Sequence, residues 1–359
     1  MFSCRIGSSS FHTGQGSSAY FWRDGLGLGG GGDREGLLLS MSNKTSVVIC
    51  AYNYARFLPR CLESVLSQSR PADEIIVVDD GSTDQTQDVV TGFRSVRYVR
   101  QKNAGKAAAF NRGFQIATGT ILCHLDADDF WLPTKLECVI DILATTNVGG
   151  MTHDALYVDA VGNRLYQTWP ETNSPKAPFY LSFREILCSC FLYPPGNLVR
   201  SSLGVANTIC VRREAVADLF PLPEDLGLAV DGALIFAAAR HGLICLPADL
   251  SAYCHHDSNY YVRDLHARKF QSRLYRWLFQ VVDSLQPRDK GLLQALFLET
   301  EAHSSMELGN RPVAAAGQAI ELLGKLIQLS ILPHWKHWGL PLACLLRWGQ
   351  LRNVALKQK

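Results

Sequence analysis

Apolar and polar positions follow two alternating periods through the first half of the chain. Short apolar β-branched runs at Ser46–Cys50, Glu74–Val78, Val96–Arg100 and Thr120–Leu125 read as strands, the last of them buried. Between them lie segments with helical spacing. Pro59–Gln68 predicts a helix with Pro near its start and Cys61, Leu62, Val65 and Leu66 on its buried face. Ser82 or Thr83 can cap a helix carrying Val89 and Val90. Lys106–Ala117 is Ala-rich, with Gly119 expected as its C-cap, and Pro133–Leu143 opens with Pro in its first turn. Strand and helix repeated in this order predict an α/β fold, a mostly parallel sheet with helices on both faces.

The pattern changes twice. Residues 1–40 are Gly- and Ser-rich without periodicity; they are expected to be disordered or an artefact of start-site choice, with Met41 as the initiator. Gly25-Leu26-Gly27-Leu28-Gly29-Gly30 fits the dinucleotide spacing G-x-G-x-x-G, but no strand precedes it and no helix pattern follows, so the spacing has no mechanical meaning there. Residues 150–260 are less regular, with strands expected at Gly150–Val158 and Ala206–Val211, a Pro-rich loop around Pro194 and Pro195, and a helix at Asp231–His241. Residues 262–330 have helical spacing, and the tail from Pro333 mixes Trp335, Trp338 and Trp348 with Lys and Arg. The expected organisation is therefore an extension (1–40), an α/β domain (41–260) built of halves 46–136 and 150–260, and a helical C-terminal region (261–359).

Composition narrows the setting. Of 359 residues, 47% are hydrophobic and 19% charged, a balance that supports a generous core. A net charge of +2 gives no reason to expect nucleic acid as a partner, since such binding usually shows as a concentrated basic face. Eleven cysteines are scattered, several inside apolar runs, and no Cys-x-x-Cys occurs, which argues against zinc. With no apolar core of a secretory signal, a reducing, cytoplasmic setting is expected. Leu226–Leu246 comes nearest to a membrane span, but Asp231 and Arg240 interrupt it.

The candidate chemistry lies where the strands end. In an open α/β sheet, ligands collect beyond the carboxyl ends of the strands. Those ends carry Ala51-Tyr52-Asn53, Asp79-Asp80-Gly81-Ser82, Asn103-Ala104-Gly105-Lys106 and Asp126-Ala127-Asp128-Asp129. Three carboxylates within four residues repel one another and suit a hard divalent ion such as Mg²⁺ or Mn²⁺. An Asp-rich turn explains any one of these ends; four together point to one ligand.

Ser46–Leu136 closely resembles the nucleotide-sugar-binding half of family-2 glycosyltransferases, which have the Rossmann-like GT-A fold. The matching text is Val-Val-Ile-Cys-Ala-Tyr-Asn at 47–53, Glu-Ile-Ile-Val-Val-Asp-Asp-Gly-Ser-Thr-Asp at 74–84, Asn-Ala-Gly-Lys at 103–106, Asn111-Arg112-Gly113 and Leu-Asp-Ala-Asp-Asp at 125–129. The resemblance implies an inverting, metal-dependent transfer of sugar from a nucleoside-diphosphate sugar, UDP-linked for preference, to an acceptor hydroxyl on a glycan, a lipid-linked glycan or another molecule of cell-envelope or polysaccharide synthesis.

It also implies roles for residues. Tyr52 lines the base pocket, and the turn after Cys50 holds the base edge by its backbone. Asp79 or Asp80 accepts the imide hydrogen of uracil, and Lys106 approaches the diphosphate unless it is an ordinary solvated lysine. Asp126 contacts ribose or metal, and Asp128 coordinates the metal. Asp84 caps or braces, and Asn111 either braces or touches ligand. In the second half Asn207 and Arg212-Arg213 lie beside the donor sugar, although the arginines can equally be surface charges. Asp231 aligns with the catalytic base, its bland alternative being a helix N-cap; Val230 stands where the family has Glu. His256, within Tyr253-Cys254-His255-His256-Asp257-Ser258-Asn259, matches a histidine that closes over the diphosphate or completes the metal shell, with Cys254 replacing Arg.

Two rival readings stay open at this level: a sugar-nucleotide nucleotidyltransferase, although Ala51–Arg56 lacks the glycine-rich loop that chemistry uses, and a catalytically silent sugar-nucleotide-binding subunit. The tail 333–359 suits peripheral contact with an anionic membrane surface, or else a helix packed on the segment before it.

Overall fold

The computed structural model describes residues 43–166, 178–192, 206–257, 267–281, 289–294 and 296–298. The extension 1–40, Met41, the Gly25–Gly30 spacing, the Pro194–Pro195 loop and the tail 333–359 lie outside them.

Strands β1 (Thr45–Ala51), β2 (Glu74–Asp79), β3 (Arg97–Arg100) and β4 (Ile121–Asp126) alternate with helices α1 (Leu58–Leu66), α2 (Thr86–Thr91) and α3 (Lys106–Ile116). There follow β5 (Phe130–Trp131), α4 (Lys135–Thr145), β6 (Gly150–Asp159), β7 (Arg164–Tyr166), β8 (Phe179–Leu181), α5 (Phe183–Leu192), β9 (Cys210–Arg212), α6 (Arg213–Val216), α7 (Val230–Ala239), β10 (Leu243–His255) and α8 (Ala267–Val281). One sheet of ten strands has the order β3-β2-β1-β4-β9-β6-β10-β5, with β7 on β6 and β8 on β10. The first four strands are parallel, and β6 is parallel to β10; β9 runs antiparallel between β4 and β6.

The period of two along β1 sorts its side chains between two cores. Val48 joins Ile76, Val78 and Leu122 beneath α3 and α7, whereas Val47 and Ile49 join Val77, Ile121, Cys123 and Leu125 beneath α1 and α4. Both faces are covered, which is why these strands read as continuous apolar runs.

The register aligns the strand ends. Ala51 pairs with Asp79, Cys50 with Asp126, and Asp79 with Arg100. The chain runs outward from β1 to β3 and returns on the other side of β1 as β4, so β1 and β4 flank the crevice where an open sheet binds ligands.

Several expectations need correction. Gly119 is not a C-cap: α3 ends at Ala117 in an extended conformation. A Cβ on Gly119 would come within 2.7 Å of the Ser46 backbone nitrogen and 2.8 Å of the Lys44 carbonyl oxygen, so the glycine permits close backbone approach. The strand expected at Ala206–Val211 is a 3-10 turn at Ala206–Thr208 followed by β9. Strand β10 has no counterpart in the sequence reading, because register shifts between Leu246 and Ser251 interrupt its alternation. Arg212 is half-buried and donates to the carbonyls of Leu143, Thr146 and Val148 at the end of α4; Arg213 donates to the Ala117 carbonyl at the end of α3. These arginines satisfy orphan carbonyls at two helix C-termini.

Candidate active site

Three strand ends and one helix start meet above β1 and β4. Tyr52, just past β1, is 47% exposed. The next residue, Asn53, has φ 59°, a left-handed conformation that Asn tolerates. It ties the first turn to the second: its N–H donates to Ser82 Oγ at 2.9 Å and its Oδ1 accepts from the Thr83 N–H at 2.8 Å. Asp84 joins the same turns, accepting from Ala55 N–H, Thr86 N–H and Thr86 Oγ1. Burial alone would raise its pKa, but these hydrogen bonds outweigh it and hold the carboxyl below the ordinary range.

Asp79 and Asp80 are both buried. Asp79 accepts from Ser82 N–H and from Tyr98 Oη. Asp80 accepts from Gln101 Nε2 and from the N–H groups of Ala104 and Gly105, at the N-terminus of α3, where the helix dipole favours an anion. The carboxylates thus organise the loops around the cleft. Gly105, at φ 93°, supplies the turn that aims Lys106 inward.

Lys106 is the hub of the cluster. Its Nζ lies 2.9 Å from the Asp126 carboxylate and 3.4 Å from Asp231 Oδ2. Burial would lower its pKa, but the two carboxylates outweigh that and raise it. Cys50 sits among the same charges, its thiol pushed up chiefly by burial; its backbone lies within the β1 ladder, between Val78 and Asp126. Asp231 occupies the first turn of α7, and Ala229, the residue at the N-cap position, makes no side-chain capping bond. Asp231 does not cap; it turns toward Lys106 and His124. Burial tends to raise its pKa, yet the Lys106 charge and the His124 and Lys106 hydrogen bonds hold it below the ordinary range. Val230 is fully buried in the core.

On the other side of the cleft, Asp126, Asp128 and Asp129 bring ligand oxygens within 4.8 Å of one another. Burial, with the charges of Asp231 and Asp128, holds Asp126 above the ordinary carboxylate range despite Lys106 and His124. Asp129 is pushed well above it by burial and by its two neighbours. Both Asp129 oxygens are committed inward, to Cys254 N–H at 2.8 Å and Asn207 Nδ2 at 2.9 Å. Asp128 Oδ2 lies 3.0 Å from His256 Nε2. The His256 ring stacks on Phe57 with centroids 4.3 Å apart and meets Tyr54 edge-on at 5.8 Å. Two partly exposed carboxylates with a third behind them form a hard oxygen donor set whose mutual repulsion a divalent ion would relieve, with a borderline imidazole donor adjacent; the carboxylates fit Mg²⁺ or Mn²⁺.

Asn207 is fully buried and does not line the cleft. Its amide donates to Asp129 and to the Ala252 carbonyl, and its Oδ1 accepts from Ser251 Oγ. It braces the acidic turn instead of facing a donor sugar. Asn111 is likewise a brace, exchanging two hydrogen bonds with the Leu222 backbone. His124 escaped the sequence reading. It is buried in β4, with Nδ1 3.0 Å from Asp231 Oδ1 and Nε2 3.7 Å from Asp126 Oδ1. Its signal was available: a histidine in an apolar run, two residues before Asp126 and so on the same strand face.

Residues 46–201 match the family described as glycosyl transferase family 2. The chain is 34% identical over 226 residues to an uncharacterized glycosyltransferase, alr2836, of Nostoc sp., covering 60% of this chain and 66% of that protein. Over 149 residues it is 35% identical to the Escherichia coli UDP-Glc:alpha-D-GlcNAc-diphosphoundecaprenol beta-1,3-glucosyltransferase WfaP, covering 40% of this chain and 58% of the relative. The matches thus span somewhat under two thirds of these relatives. Among solved structures, Staphylococcus aureus TarS 1–349 in complex with UDP-GlcNAc superposes with TM-score 0.54 at 17% identity, over 80% of this chain and 81% of that one. The Pyrobaculum calidifontis mannosyltransferase PcManGT, in complex with GDP-Man and Mn²⁺, gives 0.51 at 18% identity, over 89% of this chain and 85% of its own. At these identities the superpositions show a shared fold.

Proposed function

The chain belongs to glycosyl transferase family 2 and has a GT-A-type α/β fold, and from that premise we propose that it transfers a sugar, with inversion, from a nucleoside-diphosphate sugar to an acceptor hydroxyl. The observation that carries the proposal is the Lys106 bridge. One partly buried ammonium joins Asp126, at the end of the donor-side strand β4, to Asp231, at the start of α7, at 2.9 and 3.4 Å.

In this reading the nucleotide lies along the ends of β1 and β2. Tyr52 offers an exposed ring to the base, while Asp79 and Asp80 hold the walls through their loop hydrogen bonds. The diphosphate lies toward Lys106, whose ammonium meets its charge. Asp126 and Asp128, with the His256 imidazole behind Asp128, would hold Mg²⁺ or Mn²⁺, and a divalent ion there would stabilise negative charge on the departing diphosphate. Asp231 Oδ2 takes the proton of the acceptor hydroxyl. The acceptor oxygen forms its bond to the anomeric carbon from the opposite side as the carbon–oxygen bond to the diphosphate breaks, its electron pair leaving with the nucleoside diphosphate. Base assistance of this kind contributes ~10²–10⁴-fold. UDP-linked donors and glycan or lipid-linked acceptors of envelope synthesis are the proposed substrate classes. The UDP-Glc donor and diphosphoundecaprenol-linked acceptor in the name of WfaP, and the UDP-GlcNAc bound to TarS, support the donor class and, for WfaP alone, the lipid-linked acceptor. The α/β domain 41–260 is proposed to carry this chemistry. A cytoplasmic setting is proposed; no described helix is long and apolar enough to cross a membrane.

Thermal shift against a panel of nucleotide sugars, with and without Mn²⁺, tests the donor; a ligand at a hundred times its dissociation constant adds ~2.7 kcal/mol. The expected result is a metal-dependent shift with one UDP-sugar, and hydrolysis or transfer of that donor lost in Asp231→Asn. No shift with any nucleotide sugar would overturn the proposal.

A further inference from the structure

We infer that His124 is a positioning residue for the base: a buried Nδ1–H···Oδ1 hydrogen bond fixes the Asp231 carboxylate so that Oδ2 faces the acceptor. This inference rests on the function proposed above and goes beyond it, because it gives a strand residue outside the acidic motif a role in turnover.

Asp231 needs an anchor. It stands in the first turn of α7 and is bound by no cap geometry, so helix structure alone leaves its side-chain rotamer open. Its two oxygens have unlike partners. Oδ2 meets Lys106 at 3.4 Å, a long contact with an ammonium that sits closer, at 2.9 Å, to Asp126. A flexible lysine shared in this way can yield to a diphosphate and an incoming hydroxyl. Oδ1 meets His124 at 3.0 Å, and that partner cannot yield. The ring is buried in the middle of β4, with Phe110 packed against it at a centroid distance of 4.7 Å.

The chemistry of the contact sets its direction. An ionised carboxylate only accepts, so Nδ1 carries the hydrogen and the tautomer is determined. Nε2 lies 3.7 Å from Asp126 Oδ1 and has no hydrogen-bond partner of its own. A burial this costly in an otherwise apolar strand calls for a reason. The chain contains the unremarkable alternative for comparison. His153, also buried and likewise without a partner at Nε2, donates from Nδ1 to the backbone carbonyl of the adjacent Asp154 at 2.8 Å. His124 instead spends its bond on a side chain 107 residues away.

The test uses full-length protein with the donor identified by the panel above, comparing His124→Phe, His124→Asn and His124→Gln. Asn can place an amide N–H near the Nδ1 position, Gln places one nearer Nε2, and Phe places none. Loss of an orienting partner behind a site residue costs ~10–100-fold. His124→Phe and His124→Gln are expected to lose kcat by that factor with donor KM within about threefold, while His124→Asn stays within about fivefold of wild type. In an Asp231→Asn background, His124→Phe should add less than about twofold, since residues acting as a unit are non-additive. If His124→Phe does not fold, the Asn–Gln pair decides, and equal kcat for those two overturns the inference. Unchanged kcat in His124→Phe, or His124→Asn falling as far as His124→Phe, also overturns it. Wild-type protein that turns over no nucleotide sugar is a different outcome: the proposed function itself then falls, and the role of His124 with it.

Discussion

Asn207 Nδ2 donates to Asp129 Oδ2 at 2.9 Å, joining residues 78 positions apart inside the protein. The bond explains why the third carboxylate of the acidic turn does not face the cleft. Asp129 is held from behind by Asn207 and by the Cys254 backbone, leaving Asp126 and Asp128 to point outward. The same amide reaches the β10 backbone at Ala252, so the end of β4 and the end of β10, which leads to His256, are set by one side chain.

Asn207→Asp should be severely destabilising. It places a second carboxylate against buried Asp129 and removes the donor to the Ala252 carbonyl, an uncompensated buried charge costing ~3–5 kcal/mol. Chemical denaturation of wild type and variant measures it; a loss under about 1 kcal/mol would show that the amide is not a brace.

Asp128→Asn should abolish the Mn²⁺-dependent part of donor binding and leave the fold intact. The substitution relieves repulsion with Asp126 and Asp129 but gives up the charge on the His256 contact. These effects oppose each other, so metal-free stability should move by less than about 1 kcal/mol. A thermal shift with Mn²⁺ equal to that of wild type would remove Asp128 from the metal site.

Asp84→Ala should destabilise by ~1–2 kcal/mol near neutral pH, through loss of three hydrogen bonds to a carboxylate. Because the folded pKa of Asp84 lies below its ordinary value, its contribution is complete above the unfolded value of about 3.9 and is lost as pH falls through the lower folded value. Urea midpoints at about pH 7 and about pH 2.5 should therefore show a gap that closes on acidification. A gap constant with pH would assign the effect to packing.

Gly119→Ala should cost ~1–3 kcal/mol, since the added carbon meets the Ser46 backbone nitrogen at 2.7 Å and the Lys44 carbonyl at 2.8 Å. Backbone cannot move aside as a side chain can, and the strain falls on the start of β1. A melting temperature equal to that of wild type would mean that β1 shifts freely there.

Much was legible in the sequence by itself. Strands buried on both faces show as unbroken apolar runs, so β1, β2 and β4 stood out, while the edge strand β3, with exposed arginines at both ends, showed only by its place in the alternation. Turn residues after each run located the strand ends where a parallel sheet binds ligands. The acidic turn and Asp231 were visible as residue types at recognisable positions. Local chemistry determines such features, and local chemistry is what a sequence displays. Tertiary structure decided the partners. That Lys106 bridges Asp126 and Asp231, that His124 stands behind Asp231, and that Asn207 braces Asp129 each depend on residues 20 to 125 positions apart meeting at one place. Strand β10 was hidden for a related reason: its bulges break the period of two, and only its pairing with β6 reveals it. A hydrogen bond or ion pair is set by distance and angle in space, and no residue's type declares which distant group will stand within 3 Å of it.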